Sequence, residues 1–217
     1  MGGDRTETED GRPLRRDAAR NRALILNTAA EVFAAHGLDA GYDQIARRAG
    51  LGVGTVYRRF PERAELVHAL FESRIQEIVT IAETAAAMPG WDGLVHFLEQ
   101  TLQLQVADRG LKEVLASLPD DVHQTLGRDL LTDRVEQLIG RAQADGLLRL
   151  DVTPADLGVL LALLSSVVTS AQPDLWRRYL RVALDGLRAR ADSTDLPLTA
   201  PSDDAIQELM NNLHHRR

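Results

Sequence analysis

The side chains able to do chemistry are unevenly placed along this chain. Its six histidines (His36, His68, His96, His123, His214 and His215) fall in no metal or general-base spacing such as H-E-x-x-H. There is no glycine-rich phosphate loop. Cysteine is absent, which excludes thiol nucleophiles, disulfide scaffolds and cysteine-ligated zinc. The expectation is no catalytic site, no metal and no cofactor. What remains is a concentration of hydrogen-bond donors, Arg47, Thr55, Tyr57, Arg58, Arg59 and Arg63, whose guanidinium and hydroxyl groups suit phosphate oxygens and base edges. Residues 15–63 hold 9 arginines against 5 carboxylates, while the whole chain carries −7, so the other residues sum to −11. A basic module on an acidic body suggests a polyanionic partner at one end. A chance cluster of solvated arginines would give the same count.

These donors need elements to hold them. The chain has 217 residues, 44% of them hydrophobic, enough for a sizeable core. Residues 1–17 are polar and read as a flexible arm. From Asp17 the spacing turns helical: Ile25, Leu26, Ala29, Ala30, Val32 and Phe33 recur at three and four, and Gly37 stops the run. A second helix is expected over about Tyr42 to Ala49, ended by Gly50. Leu51-Gly52-Val53 forms a turn, a short helix covers Gly54 to Phe60, and Pro61 breaks it. A long helix then starts near Glu62 and runs toward Ala87. No strand-like alternation and no repeat appear, so the fold class is all-α.

Two short helices joined by a tight glycine-containing turn and braced by a third form a helix-turn-helix arrangement. Three groups of residues carry a family likeness. The first is Arg22, Ile25, Leu26, Ala29, Ala30, Phe33 and Gly37. The second is Ile45-Ala46-x-x-Ala49-Gly50-Leu51-x-x-Gly54-Thr55-Val56-Tyr57-x-x-Phe60, and the third is Arg63-x-x-Leu66. Together they resemble the TetR family of bacterial transcriptional regulators over about residues 18–75. The resemblance implies a DNA-binding domain over residues 18–77, with the helix-turn-helix at about 41–60. The short helix from Gly54 would enter the major groove. Thr55 and Tyr57 would face DNA, with Tyr42, Arg47, Val53, Gly54, Arg58 and Arg59 around them and Arg63 as a phosphate-contacting cation. Ile25, Phe33, Ile45, Ala46, Val56 and Phe60 should form the small core beneath.

Two departures stand out. Gly41 occupies a place where family members commonly carry a capping Thr or Ser, and Asp43 one where some carry a base-reading side chain. Asp43 is read here as a first-turn acid favoured by the helix dipole.

Residues 78–191 read as a helical effector-binding and dimerisation domain. Between Asp92 and Asp108 only Glu99 is charged, which makes a helix buried on several sides. Phe97, Leu98, Gln100, Thr101 and Leu104 could line one wall of a ligand pocket, with Leu131, Val135 and Leu138 opposite, on a helix from about Val122 to Ala144. A helix from Pro154 through Ala171 is apolar nearly all round and needs covering by a partner as well as by its own domain. With a last helix, Leu175 to Ala191, it supplies the expected dimer interface: Leu160, Leu164, Val168, Trp176, Tyr179, Leu180 and Leu187. Residues 192–217 are a linker followed by a short helix from Ser202 that either docks or frays.

The implied function is a homodimeric repressor, released from a palindromic double-stranded operator by a small, mostly apolar effector. A regulator governed by a protein partner, or by no effector, is the alternative. An all-helical enzyme finds no support in the residues. With no signal peptide, and Leu157 to Pro173 as the longest charge-free stretch, no membrane segment is expected and the location is cytoplasmic.

Overall fold

A computed structural model describes residues 12–37, 39–107, 128–167, 172–202 and 205. All regular elements among them are helices: α1 (Arg12–His36), α2 (Tyr42–Ala49), α3 (Val53–Arg59), α4 (Arg63–Ala86), α5 (Gly90–Ala107), α6 (Arg128–Ala144), α7 (Pro154–Ser166) and α8 (Leu175–Leu187). None is long and apolar enough to cross a membrane. The chain divides into two compact units, residues 1–70 and 71–217. α4 contributes its first turns to one and the rest to the other.

In the first unit α1 begins at Arg12, five residues before the expected Asp17, so the helix reaches into the segment expected as an arm; residues 1–11 lie outside the described residues. The physical reason is local. Pro13 suits a helix's first turn, and the arginines and alanines that follow are good helix formers even without an apolar stripe. The short helices turn on Gly50, whose left-handed φ of 67° lets its N–H reach back to the carbonyls of Ala46 and Arg47. Leu51 N–H closes on Ala46 at 2.9 Å. The chain thereby reverses over Gly50 to Gly52 and launches α3. Beneath it Ile25, Phe33, Ile45, Ala46, Val56 and Phe60 are all buried, as their spacing predicted, and Leu66 joins them.

The second unit is built around α5. Gly90 sits against the Arg141 backbone, where a Cβ would collide, and its N–H donates to Asp145 Oδ2 at 3.1 Å. The Arg141 guanidinium closes the same junction by donating to the carbonyls of Ala86 and Met88. The end of α6 is thus fastened to the start of α5, and the two helices pack along their length. α6 is described from Arg128, and residues 122–127 of the expected helix lie outside the described residues. α7 opens with Pro154, and the Asp156 carboxylate accepts from the Thr153 N–H at 2.8 Å and hydroxyl at 2.7 Å. Leu94, Leu98, Leu102, Leu138, Leu157 and Trp176 are among the most buried members of one continuous core.

Two expectations need correction here. α8 stops at Leu187 rather than Ala191, and one antiparallel bridge, Leu148 to Arg188, stands where no strand pairing was expected. The two are one event. Ala189 N–H donates to Leu147 O at 3.0 Å and Arg149 N–H to Leu187 O at 3.1 Å, so the backbone exchanges helical bonds for cross-chain ones. The linker that follows is anchored: the Arg149 guanidinium donates to both Asp151 oxygens and to Thr194 O, and Leu196 N–H donates to Asp151 Oδ2 at 2.9 Å. Arg149 foremost, then the Leu196 N–H, holds the Asp151 carboxyl well below the usual carboxylate range. Of the expected tail helix only Ser202 and Ala205 are described; its stripe of Ile206, Leu209, Met210 and Leu213 lies outside the described residues.

Candidate nucleic-acid interface

The buried side of α3 is Val56, and everything polar on the helix is turned away from it. Tyr57 is 54% exposed and Val53, one turn earlier, 41%. Both present apolar surface to solvent on the side of α3 away from Val56. Thr55 is half-buried between them. Its Oγ1 accepts from Arg58 Nη2 at 3.3 Å, which orders Arg58 along the helix and leaves the hydroxyl proton free to donate outward. Arg59 is exposed.

α2 supplies the other wall. The Tyr42 ring lies 4.8 Å from the Tyr57 ring, tilted by 57°, so each aromatic fixes the other. Tyr42 is only 6% exposed, and its hydroxyl is buried without a hydrogen-bond partner. Burial pushes its phenol pKa up, against the pull of nearby Arg63. Arg63 Nη2 donates to Ala40 O at 2.8 Å and its guanidinium lies 5.8 Å from the centre of the Phe33 ring. Arg63 therefore pins the turn before α2 as well as carrying charge. Gly41, Tyr42, Asp43, Val53, Tyr57, Pro61 and Arg63 enclose an open notch of about 370 Å³ on this surface.

The remaining arginines divide by partner. Arg47 pairs loosely with Asp43 at 3.5 Å, both well exposed. Arg48 is held at 2.7 Å by Glu31 of α1, which ties the two helices together. Exposed pairs of this kind contribute about 0–1 kcal/mol, so Arg47 is readily released to another anion. The Asp43 carboxylate folds back over Gly41, into the space a side chain there would fill, and α2 has no side-chain cap. The orphaned Tyr42 hydroxyl and the Arg48–Glu31 tie are the features that reading residues one by one missed.

In the second unit the expected pocket residues Phe97, Leu98, Thr101, Val135 and Leu138 are buried, and Gln100, Leu104 and Leu131 are half-buried. Phe97, Leu98, Val135 and Leu138 belong to the continuous core, with Leu131 packed against it. Thr101 is 2% exposed with its hydroxyl unpartnered, as are the buried Gln105 Oε1 and Arg134 Nε, neither of which the sequence singled out. Of the residues expected at a dimer interface, Leu164, Trp176 and Leu180 are buried within this chain's own core. Leu160 and Leu187 are half-buried, Tyr179 is 45% exposed, and Val168 lies outside the described residues. Exposed Leu163 and Val182 were not anticipated. No group of three His, Cys, Asp or Glu residues able to hold a metal occurs among the described residues.

Comparison with known proteins bears on both units. Residues 25–70 match the model of bacterial regulatory proteins of the TetR family, and residues 89–189 match the C-terminal domain of SbtR-like transcriptional regulators. The HTH-type transcriptional regulator TtgW of Pseudomonas putida is 44% identical over 59 residues, which are 27% of this chain and 44% of that protein. The match thus spans less than half of that curated relative. Among solved structures, a TetR transcription regulatory protein from Mycobacterium vanbaalenii is 40% identical with a TM-score of 0.63, covering 81% of this chain and 99% of that one. A TetR regulator from Streptomyces coelicolor is 30% identical, again with a TM-score of 0.63, covering 79% and 100%. The exposed donors of α3, the three-residue turn that leads into it and these matches along both units make the chain a member of the TetR family, a transcriptional regulator with a DNA-binding helix-turn-helix.

Proposed function

We propose that this regulator is a homodimeric, cytoplasmic repressor that leaves a palindromic operator when a small, mostly apolar ligand binds. The observation that carries the DNA half is the exposed face of α3, where Thr55, Tyr57 and Arg58 stand over a fully buried Val56. Residues 18–77 form the head, and Tyr42, Arg47, Val53, Gly54, Arg59 and Arg63 complete its contact surface. Two heads related by a two-fold axis each read one half-site, so the operator has matching symmetry. Selection of bound sequences from random DNA tests this directly. A palindrome with half-sites about one helical turn or a multiple apart is the expected result. An asymmetric or unspecific set would overturn it.

Residues 78–191 take the effector and the partner subunit. What supports a ligand between α5 and α6 is the unpaired Thr101 hydroxyl, with Gln105 Oε1 and Arg134 Nε also unpaired nearby in the sequence of those helices. Each buried orphan costs about 1–3 kcal/mol, a cost that a ligand bearing matching polar groups offsets. Phe97, Leu98, Leu104, Leu131, Val135 and Leu138 supply the apolar remainder, with Gln100 at the edge. A hundredfold release of operator needs a coupling of about 2.7 kcal/mol between ligand and DNA sites. Metabolite extracts, fractionated and added to the protein–operator complex, should contain a component that frees the DNA. No releasing fraction, with operator binding intact, would favour a regulator without a small effector. For the dimer, Leu163, Tyr179 and Val182 are the large apolar side chains that α7 and α8 leave exposed, with Leu160 and Leu187 beside them in sequence. Light scattering at micromolar concentration should give twice the chain mass.

A further inference from the structure

Large apolar side chains left exposed in the second unit fall into two groups among the described residues. Leu163, Tyr179 and Val182 stand on α7 and α8, the face assigned above to a partner subunit. Leu147, Leu150, Leu196 and Leu198 belong instead to the two segments joined by the Leu148–Arg188 bridge and the Arg149–Asp151 clasp. Leu150 is 84% exposed and Leu198 83%, as far into water as a leucine on a folded surface goes. Leu150 also lines an open hollow of about 400 Å³ together with Arg190 and with Ser193, Thr194 and Asp195 of the linker. An apolar rim around a hollow of this kind is a place for another apolar surface.

The chain supplies that surface itself. Arg149 and Asp151 fix the linker at Thr194 and Leu196. Six residues further on, Ser202 Oγ accepts from the Ala205 N–H at 3.4 Å, the bond that caps the start of a helix. Beyond it the sequence sets Ile206, Leu209, Met210 and Leu213 at i, i+3, i+4 and i+7, one narrow apolar stripe. A helix of about eleven residues is marginal alone in water, so a capped start calls for a covered stripe. Six linker residues span at most about 20 Å, which keeps the stripe within reach of the clasp. A segment tethered so closely meets this surface at an effective concentration of about millimolar, well above that of a second chain in dilute solution.

We propose that residues 203–213 form a helix that lies back on the clasp of its own chain, its stripe covering Leu150 and Leu198 beside the hollow. The Arg149–Asp151 clasp then sets where that helix begins. This inference is independent of the DNA and effector readings.

The test uses the full-length protein. Amides from Gln207 to Asn212 should exchange about tenfold or more slower than in an unstructured peptide, since covering even one leucine is worth a factor of that size. Leu209→Asp should return them to within about twofold of the peptide rate, and so should Leu150→Asp combined with Leu198→Asp. Both of the latter positions are exposed, so the melting temperature should stay as it is. Peptide-like exchange in the unaltered protein would overturn the proposal. Protection that survives the changes at Leu150 and Leu198 would overturn it as well, because the stripe would then lie on another surface.

A second measurement identifies whose segment fills the site. The chain has no cysteine, so Leu150→Cys with Leu209→Cys introduces its only thiols. Under mild oxidation this pair should close within one chain about tenfold faster than Leu150→Cys with Glu208→Cys, whose second position lies off the stripe. A crosslinked product of twice the chain mass would assign the hollow to the segment of a second copy and overturn docking within the chain. Closure no faster than in the Glu208 pair would overturn the placement on the clasp.

Discussion

The two units differ in where their unusual side chains lie. In the first, a small core of Ile25, Phe33, Ile45, Val56 and Phe60 is complete, apolar Val53 and Tyr57 are exposed, and one hydroxyl, that of Tyr42, is buried without a partner. In the second, α5 and α6 carry three such buried atoms, Thr101 Oγ1, Gln105 Oε1 and Arg134 Nε, while α7 and α8 leave Leu163, Tyr179 and Val182 exposed. A rigid partner as large as DNA is met by an exposed surface. On the ligand-responsive reading proposed above, a small molecule would be met by a defect in a core, hidden among side chains that pack the domain regardless.

The largest effect should come from removing the floor of the first unit. Phe33 is 1% exposed and also carries the Arg63 guanidinium on its ring. Phe33→Ala should cost about 3–5 kcal/mol and abolish operator binding. A thermal melt and a DNA titration on the same sample check both parts. Retained binding with an unchanged melt would mean that the small core does not hold the reading surface.

Next in size are the surface residues themselves. Tyr57→Ala should weaken operator binding by about 1–3 kcal/mol with helix content unchanged. Arg63→Ala should lower the salt dependence of binding by about one phosphate contact and, because the Ala40 bond goes too, also lower the melting temperature. Wild-type affinity in both at moderate salt would place the reading surface elsewhere.

The second unit predicts a change of opposite sign. Thr101→Val deletes a hydroxyl that has no partner, so it should leave stability unchanged or raise it by about 1 kcal/mol while weakening the response to the effector. A loss of about 2 kcal/mol instead would show that the hydroxyl is satisfied in the free protein and that the core has no such defect.

The smallest effect concerns the linker. Asp151 is held ionised in the folded chain by Arg149 and the Leu196 N–H, whereas an unfolded Asp takes up a proton near pH 3.9. The contribution of this clasp is therefore present above about pH 4 and fades as pH falls below it. Asp151→Asn should release Leu196, seen as faster hydrogen exchange of its amide at neutral pH, with operator binding and global melting little changed. Protection that persists in the variant would show that the linker is held by other bonds.

Much of the first unit was legible because its signals are local. The three- and four-residue spacing of Ile25, Ala29 and Phe33, the stops at Gly37 and Gly50, and the run Gly54-Thr55-Val56-Tyr57 all act within one or two helical turns. The start of α1 escaped notice because Arg12 to Arg16 carry no apolar stripe, and propensity and Pro13 decided it. In α8, Trp176, Leu180 and Leu184 repeat at four and are covered by the chain itself, with half-buried Leu187 three residues on, while Tyr179 and Val182 stand off that stripe.

By itself, then, the sequence determined the helices, the turn between α2 and α3, the small core and the family to which the chain belongs. Tertiary structure decided the rest. A helix apolar all round, such as α7, does not say which side its own neighbours will cover, and they chose Leu157, Leu161 and Leu164, leaving Leu163 out. No periodicity links Arg149 and Asp151 to Thr194 and Leu196; the contact exists because the Leu148–Arg188 bridge brings two remote segments side by side. The orphaned hydroxyls of Tyr42 and Thr101 are likewise invisible in one dimension. A hydrogen-bonding group is unpaired only relative to everything folded around it.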